Sequence, residues 1–423
     1  MKEKKPNGEI TQISPLKDFF QQETSGSVLI LIASVMGLIA ANSFLSNLYF
    51  TFLDTEIALN AGVINFSIDI QHVINDGLMT IFFLLVGLEI KRELSSGHLS
   101  TFKKAIVPFL AAIGGMLIPA LIFLFITGFD GSKGWAIPIA TDIALALAVL
   151  SYFGAKQSGF LRPFLLGLAV IDDIGAILII ALLFSKGFSI SWFIFSVGIV
   201  LLILLSKKLK VSSFTVYIVC GFSLWLGLYN SGIHPTLAGV ILGLIAPVTP
   251  FFSKKFVDVE EVNNVSAVKN NKKTKDSAGE SVSVVEWLEH VIHPWSAFFV
   301  VPIFAFANAG VTISSESFQQ ILNSKVAWGI MAGLILGKPV GVLLFTYATK
   351  VSKIGDVPPQ VKLWQIVGVG NAAGIGFTVA IFIAKLVFEQ DKVMQDVAIL
   401  SVLIASLISA VIAMVVLRLS GER

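Results

Sequence analysis

The chain has 423 residues, of which 55% are hydrophobic and 13% charged, and a net charge of +3. Ordinary soluble domains carry about 25% charged residues, so a chain with a mean hydropathy of +0.86 cannot cover a soluble surface, and its apolar content excludes disorder. One cysteine, Cys220, excludes a disulfide-stapled secreted scaffold. The small net charge gives no basic field for nucleic acid, which leaves an all-α polytopic membrane protein whose surroundings are the lipid bilayer.

A spanning helix needs about 20 mostly apolar residues. Twelve segments meet or approach that length: 27–45, 73–90, 104–128, 135–150, 160–185, 190–206, 213–229, 235–249, 294–312, 326–349, 363–384 and 395–417. The first has lysines upstream and small residues at Ala40 and Ala41, as a secretory signal would. The polar stretch before it runs to about Gly26, which is long for a signal's charged region. With twelve spans, 24 of the 30 basic residues fall on one side of the membrane and 5 on the other, and Lys338 lies inside a span. That asymmetry puts both termini in the cytoplasm. The whole chain, 1–423, reads as one transmembrane domain.

Two connections stand out. Residues 55–70 alternate apolar and polar around Ile64, Phe66, Ile68 and Ile70, with Asn60-Ala61-Gly62 as a turn signal. They read either as an outer β-hairpin, whose edge could pair with a second copy, or as a solvated loop. Residues 253–284 are polar, with a Lys/Asn-rich stretch at 270–275, and read as a flexible cytoplasmic loop.

An ionised side chain at mid-bilayer costs about 2.5–3.5 kcal/mol, so such residues face a protein interior or a water cavity and mark function by default. This chain places Asp76 near the outer start of the second segment, Asp142 in the fourth, Asp172 and Asp173 midway through the fifth, and Lys338 in the tenth. Adjacent aspartates in a helix point about 100° apart. One can therefore pair with a cation while the other faces a pore, and Lys338 is the basic residue at matching depth. Carboxylate oxygens bind either a proton or a hard cation such as Na+ or Li+, and that competition is the chemistry of cation/proton exchange. A buried ion pair that only fixes helix packing is the plainer reading, but such pairs add little net stability. Three carboxylates and a lysine exceed that need.

Pro138, four residues before Asp142, removes a helix hydrogen bond. Gly368, Gly370, Gly374 and Gly376 surround Asn371 in the eleventh segment and weaken a continuous helix. These glycines could simply allow close helix packing. Yet segments 104–185 and 326–417 each hold three spans with an interrupted middle one. Interruptions in matching positions of two halves point to a transporter site. Asp142 and Lys338 could offset the partial charges of the half-helix ends.

The sequence resembles the NhaA family of sodium/proton antiporters. The likeness rests on Asn75-Asp76-Gly77-Leu78-Met79, the run Phe82 to Glu93, Ala140-Thr141-Asp142, Ile171-Asp172-Asp173-Ile174-Gly175-Ala176 and Ser231 to Gly239. Leu288-Glu289-His290, His293-Pro294-Trp295, Phe304 to Gly310, Gly337-Lys338-Pro339 and Gly374-Ile375-Gly376-Phe377-Thr378 complete it. It runs from about Phe19 to Arg418. The resemblance implies twelve helices, inverted-topology repeats with two broken helices, and electrogenic, pH-regulated exchange of Na+ or Li+ for H+ in a bacterial inner membrane, without a cofactor. NhaA is itself one of the cases on which the inverted-repeat pattern is founded. Further implied are Asp172 and Asp173 as the ion- and proton-binding pair, with Thr141 assisting and Lys338 partnering Asp172, and Asp142 with Thr141 at the broken helices. Glu89, Arg92, Glu93, Glu289, His290 and His293 match a cytoplasmic cluster linked to pH activation, and His234 matches a histidine that influences the pH profile. The hairpin at 55–70 matches a homodimer contact. Two departures stand out: the loop at 253–284 looks longer than the family pattern, and Asn371-Ala372-Ala373 replaces the apolar residues expected before Gly374.

Two rival functions are weaker. An intramembrane aspartyl protease would carry Tyr-Asp and Gly-x-Gly-Asp strings, and neither is present. A passive cation channel would not place a lysine beside its ion.

Overall fold

The computed structural model describes residues 23–61, 64–97, 99–128, 133–153, 159–183, 187–209, 214–248, 250–252 and 282–421. Most of the polar connection at 253–284 lies outside them. Its last residues are regular, however: Val282–Ser283 pairs antiparallel with Pro250–Phe252, and Val284 begins a helix.

Every apolar segment becomes helical, because backbone polar groups in lipid must be satisfied within the segment. The helices are α1 (Glu23–Ala41), α2 (Ser46–Leu53), α3 (Ile70–Ser95), α4 (Phe102–Thr127), α5 (Ile143–Phe153), α6 (Leu161–Leu183), α7 (Ile190–Lys208) and α8 (Phe214–Ser231). They continue as α9 (Leu237–Ile245), α10 (284–309), α11 (Ser315–Asn323), α12 (Lys325–Val351), α13 (Leu363–Ala373), α14 (Phe377–Val387) and α15 (Lys392–Gly421). Among the described residues eight helical stretches are long and apolar enough to cross a membrane, or up to ten if each of two bent helix pairs is counted as one span. The remaining two expected segments correspond to α8 and the nine-residue α9.

The chain turns sharply where the first segment ends, bending by 111° between α1 and α2. Asn42 holds the bend: its amide donates to the Val311 carbonyl at 2.8 Å and its oxygen accepts from the Ile313 amide at 2.6 Å. Between α2 and α3, β1 (Glu56–Ala61) and β2 (Ile64–Asp69) pair antiparallel, with Ile57 opposite Ile68.

Three long helices each contain a π-turn, at Val73–Leu78 in α3, Ser296–Val300 in α10 and Gly333–Gly337 in α12. Such turns insert a residue without ending the helix and cluster at functional sites. The first contains Asp76, and the third delivers Lys338 directly after its last residue.

Glycine sets the closest helix contacts. A Cβ on Gly87 would meet the backbone of Val240, and one on Gly239 or Gly243 would meet the backbone of α3, so α9 lies directly against α3. The two largest apolar clusters each draw on several helices. One joins Phe83, Leu237, Phe304 and Phe382; the other joins Ala111, Leu165, Val342 and Val369. At the edge, α7 presents Ile194, Leu201 and Leu205 outward, as a lipid-facing helix does.

Candidate ion-binding site

Two interrupted segments cross at the centre. In the first, Lys133–Ile139 forms a 3-10 helix carrying Pro138, residues 140–142 leave the helix, and α5 starts at Ile143. In the second, α13 ends at Ala373 and α14 starts at Phe377, with a bend of 47°. The two breaks bind each other: the Asp142 amide donates to the Ile375 carbonyl at 2.7 Å, and the Thr141 hydroxyl lies 2.9 Å from the Ala373 carbonyl. This crossing explains the glycines. A Cβ at Gly374 would lie 2.5 Å from the Leu334 carbonyl oxygen, and one at Gly376 would crowd Leu334 and the Ala140 carbonyl. Gly368 and Gly370 serve packing instead, against Leu417 and Pro339. Pro138 seats against the π-turn of α12, where Gly333 leaves room for it.

Asp142 joins the two N-terminal half-helix ends. Its Oδ1 accepts from the Leu145 amide at 3.1 Å, capping α5. Its Oδ2 accepts from the Thr378 amide at 3.2 Å and the Thr378 hydroxyl at 2.5 Å, capping α14. Thr378 carried no role in the sequence reading, because a hydroxyl inside a helix has no spacing signature.

Lys338 is completely buried. Its Nζ donates to Asp172 Oδ2 at 2.5 Å and to Thr141 Oγ1 at 2.9 Å. Thr141 Oγ1 also lies 2.9 Å from Asp172 Oδ2. The hydroxyl has one proton, so it can serve Asp172 or the Ala373 carbonyl but not both at once. Asp172 Oδ1 is buried with no hydrogen-bond partner. Asp173, 3% exposed, makes no hydrogen bond with the described residues. Its electrostatic neighbours are Glu89, Asp172, Asp142 and Lys338.

The remaining sequence candidates form two further groups. Arg92 Nη1 donates to Glu289 Oε1 at 2.5 Å, and Arg92 Nη2 lies 3.6 Å from Glu93 Oε1. Glu89, one turn before Glu93 on α3, is an electrostatic neighbour of Glu289, Arg92, Glu93 and Asp173, so the group reaches from the helix end to the central site. His290 and His293 are exposed on the same helix as Glu289. On the other side, His234 Nε2 lies 3.8 Å from Asp76 Oδ1, and its Nδ1 is 2.8 Å from Thr236 Oγ1. The structure thus pairs two residues singled out separately. Nearby, Asn308 Nδ2 donates to Asn75 Oδ1 at 2.8 Å, a contact without any sequence signal. Among the described residues no three His, Cys, Asp or Glu side chains are grouped to hold a resident metal ion.

Residues 17–417 match the sequence model of the family described as Na+/H+ antiporter 1. The chain belongs to that family. Relatives of this Na+/H+ antiporter family include the Na(+)/H(+) antiporter NhaA of Shewanella amazonensis, 42% identical over 96% of this chain and 99% of the relative. The Na(+)/H(+) antiporter NhaA 2 of Shewanella denitrificans is 42% identical over 95% of this chain and 94% of the relative. Among solved structures, the sodium proton antiporter MjNhaP1 of Methanocaldococcus jannaschii shares the fold, with a TM-score of 0.51 at 13% identity, covering 96% of this chain and 97% of that one. The family's members are named for ion exchange, so the chain groups with transporters rather than enzymes, and its apolar helices make it an integral membrane protein.

Proposed function

We propose that this chain is an electrogenic Na+/H+ antiporter, also taking Li+, in which the cation and protons compete for Asp172 and Asp173. The observation that carries this reading is the uneven use of the Asp172 carboxylate. Its Oδ2 is held by Lys338 and Thr141, while its Oδ1 is buried without a partner beside the equally buried Asp173. An unpaired buried carboxylate oxygen is costly. A proton or a hard cation bound there relieves that cost.

Na+ enters at Asp173, with Asp172 Oδ1 and the Thr141 hydroxyl as further oxygens, and the protons held by the carboxylates leave. The loaded site then opens to the other side, Na+ departs, and protons rebind. Lys338 compensates Asp172 while that carboxylate is ionised. When a proton takes its place, the ammonium is released, so more than one charge equivalent moves per Na+. Asp142 keeps the two half-helix ends together and offsets their partial positive charge.

The same reading extends to the remaining parts. The twelve segments cross the membrane with both termini in the cytoplasm, as the lysine and arginine asymmetry favours. The halves 104–185 and 326–417 are inverted repeats around the crossing. Arg92, Glu89, Glu93, Glu289, His290 and His293 adjust activity to cytoplasmic pH, and His234 with Asp76 does so from the opposite face. The β1–β2 edge joins two copies into a homodimer, and the host bilayer is a bacterial inner membrane.

The test is exchange by the purified protein in proteoliposomes, with internal pH followed by a dye after a Na+, Li+ or K+ pulse. Wild type should respond to Na+ and Li+, and Asp173→Asn should abolish the response while still folding. Wild-type exchange by Asp173→Asn would overturn the assignment.

A further inference from the structure

The start of α14 is held from two sides. Asp142 takes the Thr378 amide, and Ser406 of α15 takes the Phe377 amide on its Oγ at 3.1 Å. Three residues further along α15 lies Ser409, with 0% exposure, whose Oγ has no hydrogen-bond partner. It faces the same break, because a Cβ at Gly374 would sit 3.2 Å from that Oγ. Residues three apart share a helix face. The two serines therefore bracket the break, Ser406 at its α14 end and Ser409 at its α13 end.

A buried hydroxyl normally finds a partner, and a helical serine commonly uses the carbonyl one turn back. Ser401 on the same helix does so, donating to the Val397 carbonyl at 2.7 Å. Ser409 does not. An alanine would fill the same space without stranding a polar atom, so packing alone gives no reason for serine here. The break beside it is where backbone groups leave the helix ladder and need side-chain partners.

We propose that Ser406 and Ser409 are positioning residues that hold the break in two alternative arrangements. Ser406 bonds the α14 amide in the arrangement described here. Ser409 donates to a carbonyl of the break in the opposite-facing one. Moving between faces then exchanges one serine bond for the other, so the pair sets the balance between the two states. This inference rests on exchange by alternating access.

Wild type, Ser406→Ala, Ser409→Ala and Ser409→Cys are reconstituted in oriented vesicles, and the apparent KM for Na+ is measured from each face. Losing one such bond should shift the balance about five- to tenfold. Ser409→Ala should lower KM on one face and raise it on the other. Ser406→Ala should move both the opposite way, and Ser409→Cys, which keeps a weak donor, should fall between wild type and Ser409→Ala. Ser409→Ala should melt no lower than wild type, since it removes an unpaired polar group. Unchanged KM values, shifts of the same sign in both alanine variants, or a lower melting temperature for Ser409→Ala without a KM shift would overturn the proposal. Should Ser406→Ala fail to fold, Ser409→Ala and Ser409→Cys carry the test alone. Absence of exchange by wild type would instead refute the antiport reading on which it stands.

Discussion

Asp142 Oδ2 accepts both the amide and the hydroxyl of Thr378, a residue 236 positions away, while its Oδ1 caps α5. One carboxylate thus serves two helix N-termini from two interrupted spans. Each such end carries roughly half a positive charge, and two brought together in a low dielectric would repel. The aspartate offsets both and ties the breaks into one unit, so neither half-helix moves without remaking bonds at Asp142.

The threonine hydroxyl is therefore more than a helix residue. Thr378→Val should lower exchange at least tenfold and stability by about 1.5–3 kcal/mol, the range for a hydrogen bond to a charged group. Thr378→Ser, which keeps the donor, should restore most of both. Exchange rates and melting temperatures of the two variants, measured side by side, check this.

The α3–α9 contact makes a purely structural prediction. At Gly243 an added Cβ would come within 2.7 Å of backbone atoms in α3, whereas at Gly198 on α7 nothing lies within 4 Å. Gly243→Ala should destabilise by about 1–3 kcal/mol through overpacking. Gly198→Ala should be neutral or stabilise slightly, because alanine favours helix. Thermal unfolding in detergent separates the two.

The class of fold was readable because membrane depth forces a coarse pattern of long apolar runs with basic residues segregated. The charged centre was readable for the same reason: Asp142, Asp172, Asp173 and Lys338 stand where charge is costly, and only one lysine was available to partner an aspartate. What stayed hidden is what hydroxyls, carbonyls and helix irregularities do. Thr378, Ser406 and the Ala373 carbonyl look like any helical residue. The π-turn ahead of Lys338 leaves the apolar pattern unbroken, so nothing in the residue order marks it. At the 111° bend that ends the first segment, Asn42 reaches residues 311 and 313, a long-range contact that no local pattern encodes. Val282–Ser283 pairs with a strand about thirty positions earlier, beyond any local reading of a polar stretch.

The Arg92–Glu289 pair predicts a pH phenotype. Protonating Glu289 removes the charge that Arg92 holds at 2.5 Å, so on the proposed reading this bond responds to acidity on its side of the membrane. Glu289→Gln fixes the protonated form and should shift the midpoint of exchange against pH by about one unit, the change expected when roughly 1.4 kcal/mol of interaction is lost. Turnover at the plateau should be unchanged. A profile superimposable on wild type would remove this pair from pH control.

The central ion pair allows the most discriminating test. Lys338 and Asp172 are both fully buried, and Lys338 also donates to Thr141. Removing one partner leaves a charge buried without compensation, so Lys338→Met alone should destabilise by about 3–5 kcal/mol. Asp172→Asn alone should cost a comparable amount by stranding the ammonium. Removing both charges together should cost far less than the sum, since replacing a buried pair with neutral groups is often nearly free. If the pair serves packing alone, the double variant should regain both stability and exchange. If Asp172 serves the ion, the double variant should regain stability and remain unable to exchange. A double-mutant cycle in melting temperature, with Na+-pulse exchange measured on the same four proteins, distinguishes fold from transport at this one contact.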